Sequence, residues 1–227
     1  MKGYFLLLAA VFTLSAVAQT VDNGSSYFVG YFNADGKSMV PAKKDNLEGS
    51  PFLNDNWELG KVYFASGKVA DKMLLQFDLN KNQLQFRQDT TSYYFAEPVK
   101  EFIITTKDKE AIRQVLFRNG YTKNSGHATT AFYNVMAEGK NFQLLKMFVC
   151  RLQDKYEYIG TSKQIYQTIE ELYLYEVATK KFIRIKKDRN TLVEKLGAYN
   201  EDVKKWLQKH SIETEADLLD FTDQLNK

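Results

Sequence analysis

Cysteine is nearly absent from this chain, which contains Cys150 and no other. An intramolecular disulfide is therefore impossible, and the fold must be held together by its apolar core. Cys150 lies in the apolar run Leu144–Leu152, where we expect a buried and inert thiol. An intermolecular bridge and a nucleophilic role are the alternatives for this residue.

Histidine is almost as scarce, with His127 in a polar loop and His210 at the end of an expected helix. Neither has acidic or cysteine neighbours at metal-site spacing, so we expect no metal and no cofactor. The nucleophile motif G-x-S-x-G, the motif H-E-x-x-H and a phosphate-binding glycine loop are also missing. Catalytic groups can still converge from distant positions, so a hydrolase around His127 stays a third hypothesis, with no catalytic residue assigned.

A dense cluster of lysine and arginine is also missing from the chain, whose formal net charge is +3. The charge is uneven, because residues 188–227 hold six basic and nine acidic side chains while the rest is mildly basic. A nucleic-acid-binding domain shows a stronger basic stripe than this, so we expect no nucleic-acid partner.

One long apolar run is present, and it lies near the N-terminus. Lys2 precedes the uncharged stretch Tyr4–Val17, and the triplet Ala16–Ala18 follows. A positive start, a short apolar stretch and an A-x-A site together indicate a secretory signal peptide. The stretch is shorter than the roughly 20 residues of a membrane span. We therefore predict a signal peptide over 1–18, cleavage near Ala18, and an exported, periplasmic or extracellular protein without a transmembrane span.

Turn signals separate short β-prone runs through most of the remaining chain. Segment 19–60 contains an Asp-Gly hairpin signal followed by a polar connection. The pattern of segment 61–187 predicts an antiparallel β body. Segment 108–119 fits either a helix or a strand. The run Leu144–Val149 is apolar on both faces apart from Lys146, which is typical of a strand covered on both sides.

The hydrophobic period becomes helical at Asp188, which predicts helices that pack on the body over 188–227. Two capping-box patterns indicate helix starts, Thr191 with Glu194 and, more weakly, Thr214 with Asp217. The predicted fold class is mainly β (α+β): an antiparallel β-meander or curved sheet followed by a C-terminal helical pair, or by three short helices. The helices would dock through an apolar stripe that includes Trp206, Leu218 and Phe221.

Aromatic residues are abundant in the β body. They can line a groove for a lipid, glycan or peptide, or they can form cross-strand packing pairs. The candidate ligand-binding residues are Tyr93, Tyr94, Phe95, Tyr173 and Tyr175.

The run 180–187 is strongly basic, and Lys180, Arg184 and Lys186 fall on one face of an expected strand. This face can contact anionic headgroups or another polyanion. Alternatively, it is a charged edge that discourages aggregation.

Several segments carry a family resemblance. Gly49–Leu53, Trp57, Gly60–Phe64 and Leu74–Leu79, with the closing segment Thr191–Asn226, resemble secreted envelope proteins of Bacteroidota-type bacteria. The resemblance covers about two-thirds of the chain after residue 18. It implies a β-meander followed by helices and a location in the cell envelope, and it transfers no catalytic residue.

These features favour an exported, non-enzymatic cell-envelope protein with a binding or structural role. Its expected partner is an envelope protein, a lipid or a glycan. The main alternative is a carrier or sensor that holds an apolar or amphiphilic ligand between the sheet and the helices.

Overall fold

The computed structural model describes residues 47–108, 111–122, 126–156, 162–196 and 201–227. The expected signal peptide and the Asp-Gly hairpin lie outside the described residues. Within these ranges the chain forms one open mixed sheet, followed by three C-terminal helices. This arrangement confirms the predicted mainly β, α+β fold class.

The strands are β1 (Leu47–Glu48), β2 (Glu58–Phe64), β3 (Val69–Asp78), β4 (Gln83–Gln88), β5 (Thr91–Tyr94), β6 (Val99–Asp108), β7 (Ala111–Arg118), β8 (Tyr133–Ala137), β9 (Phe142–Tyr156), β10 (Ser162–Glu176) and β11 (Lys181–Ile185). The helices are α1 (Arg189–Leu196), α2 (Glu201–Lys209) and α3 (Glu215–Leu225).

The order across the sheet is β1-β10-β9-β8-β7-β6-β2-β3-β4-β5, and β11 pairs with the C-terminal half of β10. The pairs are antiparallel except β1 with β10, which is parallel. The sequence predicts an antiparallel body, and the parallel pair arises from a segment predicted as a connection. The ambiguous segment 108–119 is extended where it is described, as the end of β6 and as β7.

The sheet curves, so that its distant strands meet at the turn between β3 and β4. Asn80 Nδ2 donates to the carbonyl oxygen of Cys150 on β9, 3.1 Å away. Asn82 Nδ2 donates to the carbonyl oxygen of Thr130, and its Oδ1 accepts from the Phe132 amide, both at 3.1 Å. These bonds fasten the turn to two segments that follow it by about fifty residues or more.

Residues 47–53 also link distant parts of the sheet, and we call them the strap. The strap begins as β1 on β10. It then runs beside the end of β3, where the Leu79 amide donates to the Pro51 carbonyl at 2.7 Å and the Leu53 amide donates to the Phe77 carbonyl at 2.9 Å. A segment predicted as a polar connection therefore spans two strands that are far apart in the sheet order.

The main core lies inside the curve and is rich in phenylalanine. The rings of Phe102 and Phe117 stack with centroids 4.9 Å apart, and Phe77 lies 5.1 Å from each of them. Cys150 contributes to this core with 6% of its surface exposed, which confirms the predicted burial of the thiol.

The stretch Leu144–Val149 of β9 is covered on both faces, as predicted. Leu144 faces the helices and Leu145 faces a second aromatic cluster, and both are fully buried. The aromatic members of this second cluster are Tyr121, Tyr133, Tyr173, Tyr175 and Phe182. Lys146 is buried between these apolar neighbours and forms ion pairs with Glu215 and Glu170.

The helix starts are set by local hydrogen bonds. Asp188, not Thr191, caps α1, because its carboxylate accepts from the Thr191 amide at 2.9 Å. The expected box of Thr191 with Glu194 is therefore wrong, because the helix begins three residues earlier than expected, at Arg189, and Thr191 lies in its first turn. At α3 the weaker pattern is confirmed: Thr214 and Asp217 form a reciprocal capping box.

The helices pack on β9, β10 and β11 through a close-packed interface. Its members include five fully buried side chains of the helices: Leu192, Leu196, Leu207, Leu218 and Phe221. Trp206 packs against this cluster, 5.6 Å from the Phe221 ring. Within the described residues, no helix is both long and apolar enough to cross a membrane.

Candidate functional site

A cleft of about 390 Å³ opens where the β3–β4 turn faces the β5–β6 connection. Its far wall comes from the ends of the segment between β7 and β8. The lining residues are Lys81, Asn82, Gln83, Leu84, Tyr94, Phe95, Ala96, Glu97, Pro98, Val99, Asn119, Thr130 and Phe132. The volume falls in the range of small-molecule sites.

The floor of the cleft is apolar because it is the open end of the main core. Leu84 and Phe132 are buried there, and Phe95 is half-buried. The Phe95 ring packs 4.8 Å from Phe86 and 5.6 Å from Phe64. A ligand with an apolar body would therefore contact rings that are already held in place.

One rim is formed by Tyr94, whose phenol is held by two side chains. Gln85 Nε2 donates to Tyr94 Oη at 3.3 Å, and Lys81 Nζ lies 3.5 Å from the same oxygen. The Lys81 ammonium also lies 6.0 Å from the centroid of the Tyr94 ring. This rim combines an aromatic face with an ammonium group that can bind a polar substituent.

Glu97 supplies an acidic group to the same cleft. Its Oε2 lies 3.7 Å from Lys68 Nζ, while its Oε1 is buried and has no hydrogen-bond partner among the described residues. A buried carboxylate oxygen without a donor is costly, and Glu97 is a lining residue of the cleft. A ligand that turns this side chain toward a donor of its own would relieve that cost.

The structure separates the five aromatic candidates. Tyr94 and Phe95 line the cleft. Tyr93 instead stacks on Phe86 at 5.3 Å as a packing residue of the main core. Tyr173 and Tyr175 are buried in the second aromatic cluster, on the outer face of β10.

A polar group lies above this second cluster and joins His127 to β10. His127 Nε2 is 3.0 Å from Glu171 Oε2, and Tyr173 Oη donates to the same oxygen at 2.6 Å. Arg184 Nη2 lies 2.7 Å from Glu171 Oε1. Burial raises the pKa of the Glu171 carboxyl, but the two hydrogen bonds and the Arg184 charge outweigh it and leave that pKa below its usual value.

The tyrosines around this group hold their protons more tightly than usual. Burial, and then the Glu171 carboxylate, raise the pKa of Tyr173. Burial raises the pKa of Tyr121 to about 12. These phenols therefore serve as hydrogen-bond donors near neutral pH, and the group anchors the segment around His127 to the sheet.

The hydrolase hypothesis requires an acid and a nucleophile beside His127. Glu171 is an acidic partner, but the other described neighbours of His127 are the rings of Tyr133 and Tyr173. Ser125 lies outside the described residues. We assign no catalytic role to this group.

The basic candidates follow the edge strand β11. The Lys180 carbonyl accepts from Thr122 Oγ1 at 2.7 Å, in a turn where Lys180 has φ 55°. Arg184 pairs with Glu171, and Lys186 is exposed. Across the described parts of the chain, no group of three or more His, Cys, Asp and Glu residues is arranged to hold a metal ion.

Sequence reasoning missed several cleft residues, among them Lys81, Glu97, Asn119 and Phe132. These residues come from three separate segments, the β3–β4, β5–β6 and β7–β8 connections, and they meet because Asn82 binds the segment 130–132. The one local signal is that Glu97 lies two residues after the aromatic run 93–95 and directly precedes Pro98.

Comparisons with known proteins give no relative from which a role could be transferred. The chain matches no protein-family model, no curated protein and no solved structure. The function must therefore be argued from the geometry of the cleft and of the surfaces around it.

Proposed function

We propose that this chain is an exported, non-enzymatic protein of the cell envelope that binds a small ligand in the cleft. The ligand has an apolar body and a head that donates hydrogen bonds. The observation that carries the proposal is the combination of an apolar floor, at Phe95 and Phe132, with the unpartnered Glu97 Oε1.

Export is supported by the N-terminal sequence. The charged start, the short apolar stretch and the A-x-A triplet are the parts of a signal peptide. The pattern shared with secreted envelope proteins of Bacteroidota-type bacteria supports the same location.

The carrier hypothesis first placed the ligand between the sheet and the helices. That interface is filled by side chains such as Leu196, Leu207 and Phe221, each fully buried. We therefore place the ligand at the open end of the main core instead, where Leu84 and Phe95 already form a floor.

The test is native mass spectrometry of protein purified without detergent from the cells that make it. Ala96 is exposed and lines the cleft, so Ala96→Trp would fill it. Ala178 is equally exposed but lies in the β10–β11 turn, so Ala178→Trp is the matched control. We expect added mass that denaturation releases in the parent and in the control, and its loss in Ala96→Trp.

Two results would contradict the proposal. One is a parent protein that carries no added mass. The other is added mass that persists in Ala96→Trp, which would place the ligand elsewhere. The substitution Glu97→Gln then tests the head group: it keeps the size but removes the charge, so the added mass should fall in occupancy without a change in folding.

A further inference from the structure

The outer face of the β9–β10 hairpin carries exposed basic residues around an exposed isoleucine. Arg151 lies opposite Gln167, and Val149 lies opposite Ile169, so these four residues share one face. Arg184 lies opposite Tyr173 on that same face, and Lys186 is two residues further along the chain. We call Arg151, Ile169, Arg184 and Lys186 the outer patch.

The outer patch has a surplus of positive charge. Arg151 and Lys186 are exposed and form no ion pair with any described residue. The acidic residue beside the patch on this face is Glu171, whose two oxygens are already held by Arg184, His127 and Tyr173. Asp188 lies near Lys186, but its carboxylate caps α1. Arg151 and Lys186 therefore face solvent with little local compensation.

Ile169 gives the patch an apolar centre, with 45% of its surface exposed. A nucleic acid or an acidic polysaccharide offers little that would favour contact with an aliphatic side chain. A bilayer can bind both the cations and the isoleucine of the patch. Its phosphates attract Lys and Arg, and an aliphatic side chain enters the boundary of the acyl region.

The opposite face of β9 and β10 is already occupied. Leu144, Leu172 and Leu174 point to that side and pack under the helices. A partner that approaches the outer patch therefore meets no helix. Arg151, Ile169 and Lys186 lie exposed beside the segment around His127, which contacts this face at Glu171. We propose that the outer patch docks the protein on an anionic lipid bilayer.

The test is co-sedimentation with lipid vesicles. The protein is purified after export from the cells that make it. One set contains equal parts of phosphatidylglycerol and phosphatidylcholine, and the other contains phosphatidylcholine alone. We expect binding to the anionic set, weakened by salt. The double variant Arg151→Gln/Lys186→Gln should lower the partition coefficient by about thirtyfold, at about 1 kcal/mol for each cation near the surface.

A matched control removes the same charge elsewhere. Arg113 and Lys140 are exposed, and the double variant Arg113→Gln/Lys140→Gln should bind as the parent does. Ile169→Ser tests the apolar centre and should weaken binding while the salt dependence remains.

Three results would overturn the proposal. The first is a parent that binds both vesicle sets equally or neither of them. The second is a control variant that loses as much binding as the patch variant, since net charge alone would then explain the effect. The third is binding to heparin without binding to the anionic vesicles, which would indicate a soluble polyanion.

Discussion

Asn226 lies directly against Gly139, so that a Cβ on the glycine would come within 2.2 Å of the asparagine amide. The same amide accepts from the backbone amides of Asn141 and Phe142, at 2.8 and 2.9 Å. It donates to the carbonyl oxygens of Phe142 and Thr222, at 2.9 and 2.8 Å. One side chain thus joins the end of the last helix to the β8–β9 turn.

Asn226→Ala should therefore destabilise the protein by about 2–3 kcal/mol, because it removes four hydrogen bonds and leaves backbone groups unpaired. Gly139→Ala should have a similar effect through steric clash. Urea denaturation would measure both, with the exposed Asp223→Ala on the same helix as control. Midpoints equal to that of the control would show that the contact contributes nothing.

The buried Lys146 leads to a second prediction. Its ammonium pairs with Glu215 and, at 3.2 Å, with Glu170, so either acid can compensate for loss of the other. Each single change to Gln should cost about 1 kcal/mol, and the double change about 3 kcal/mol, because a buried charge is then left unpaired. A double-mutant cycle measured in urea would check this. Strict additivity of the single effects would refute mutual compensation.

The Glu171 carboxylate should make stability dependent on pH in the acid range. Its pKa is lowered in the folded protein relative to the ordinary value of 4.5, so the unfolded chain binds more protons. The resulting stabilisation is present above pH 4.5 and is lost as pH falls through the folded-state pKa. Thermal unfolding of the parent and Glu171→Gln between pH 3 and 7 would test this. The gap in Tm should narrow below pH 4.5, and a constant gap would contradict the assignment.

Cys150 should react with thiol reagents only when the sheet opens. Its side chain lies in the main core, and its carbonyl is held by Asn80. We expect the folded protein to react with Ellman's reagent slowly, at a rate that rises with urea as the protein unfolds. Asn80→Ala should accelerate the reaction in the folded state. Rapid labelling of the native parent would show that the thiol is accessible after all.

The parts of the fold that the sequence predicts are those determined by neighbouring residues. The turns at Asn80–Asn82 and Glu138–Lys140 are examples, because their residue types and the alternation in the flanking strands act within a few positions. The capping box of Thr214 and Asp217 is equally local. At α1 Asp188 provides the cap instead of the predicted Thr191, because a carboxylate accepts several hydrogen bonds at once.

The candidate site was harder to predict because its residues meet through long-range contacts. Tyr94 and Phe95 were found as aromatic residues, but their neighbour Phe132 is brought in by Asn82, fifty positions earlier. The partner of His127 is Glu171, 44 positions away. No period or motif encodes such a pair, since each residue is unremarkable in its own segment.

The strap also determines when folding can finish. Leu47 pairs with Gln164, and its neighbour Glu48 binds Lys163 at 3.0 Å, 115 positions later in the chain. Contacts of such long sequence separation slow folding, because a large loop must close before they form. A growing chain cannot close this loop until β10 has been synthesised. The joined sheet is therefore acquired late, by a chain most of which has already been synthesised.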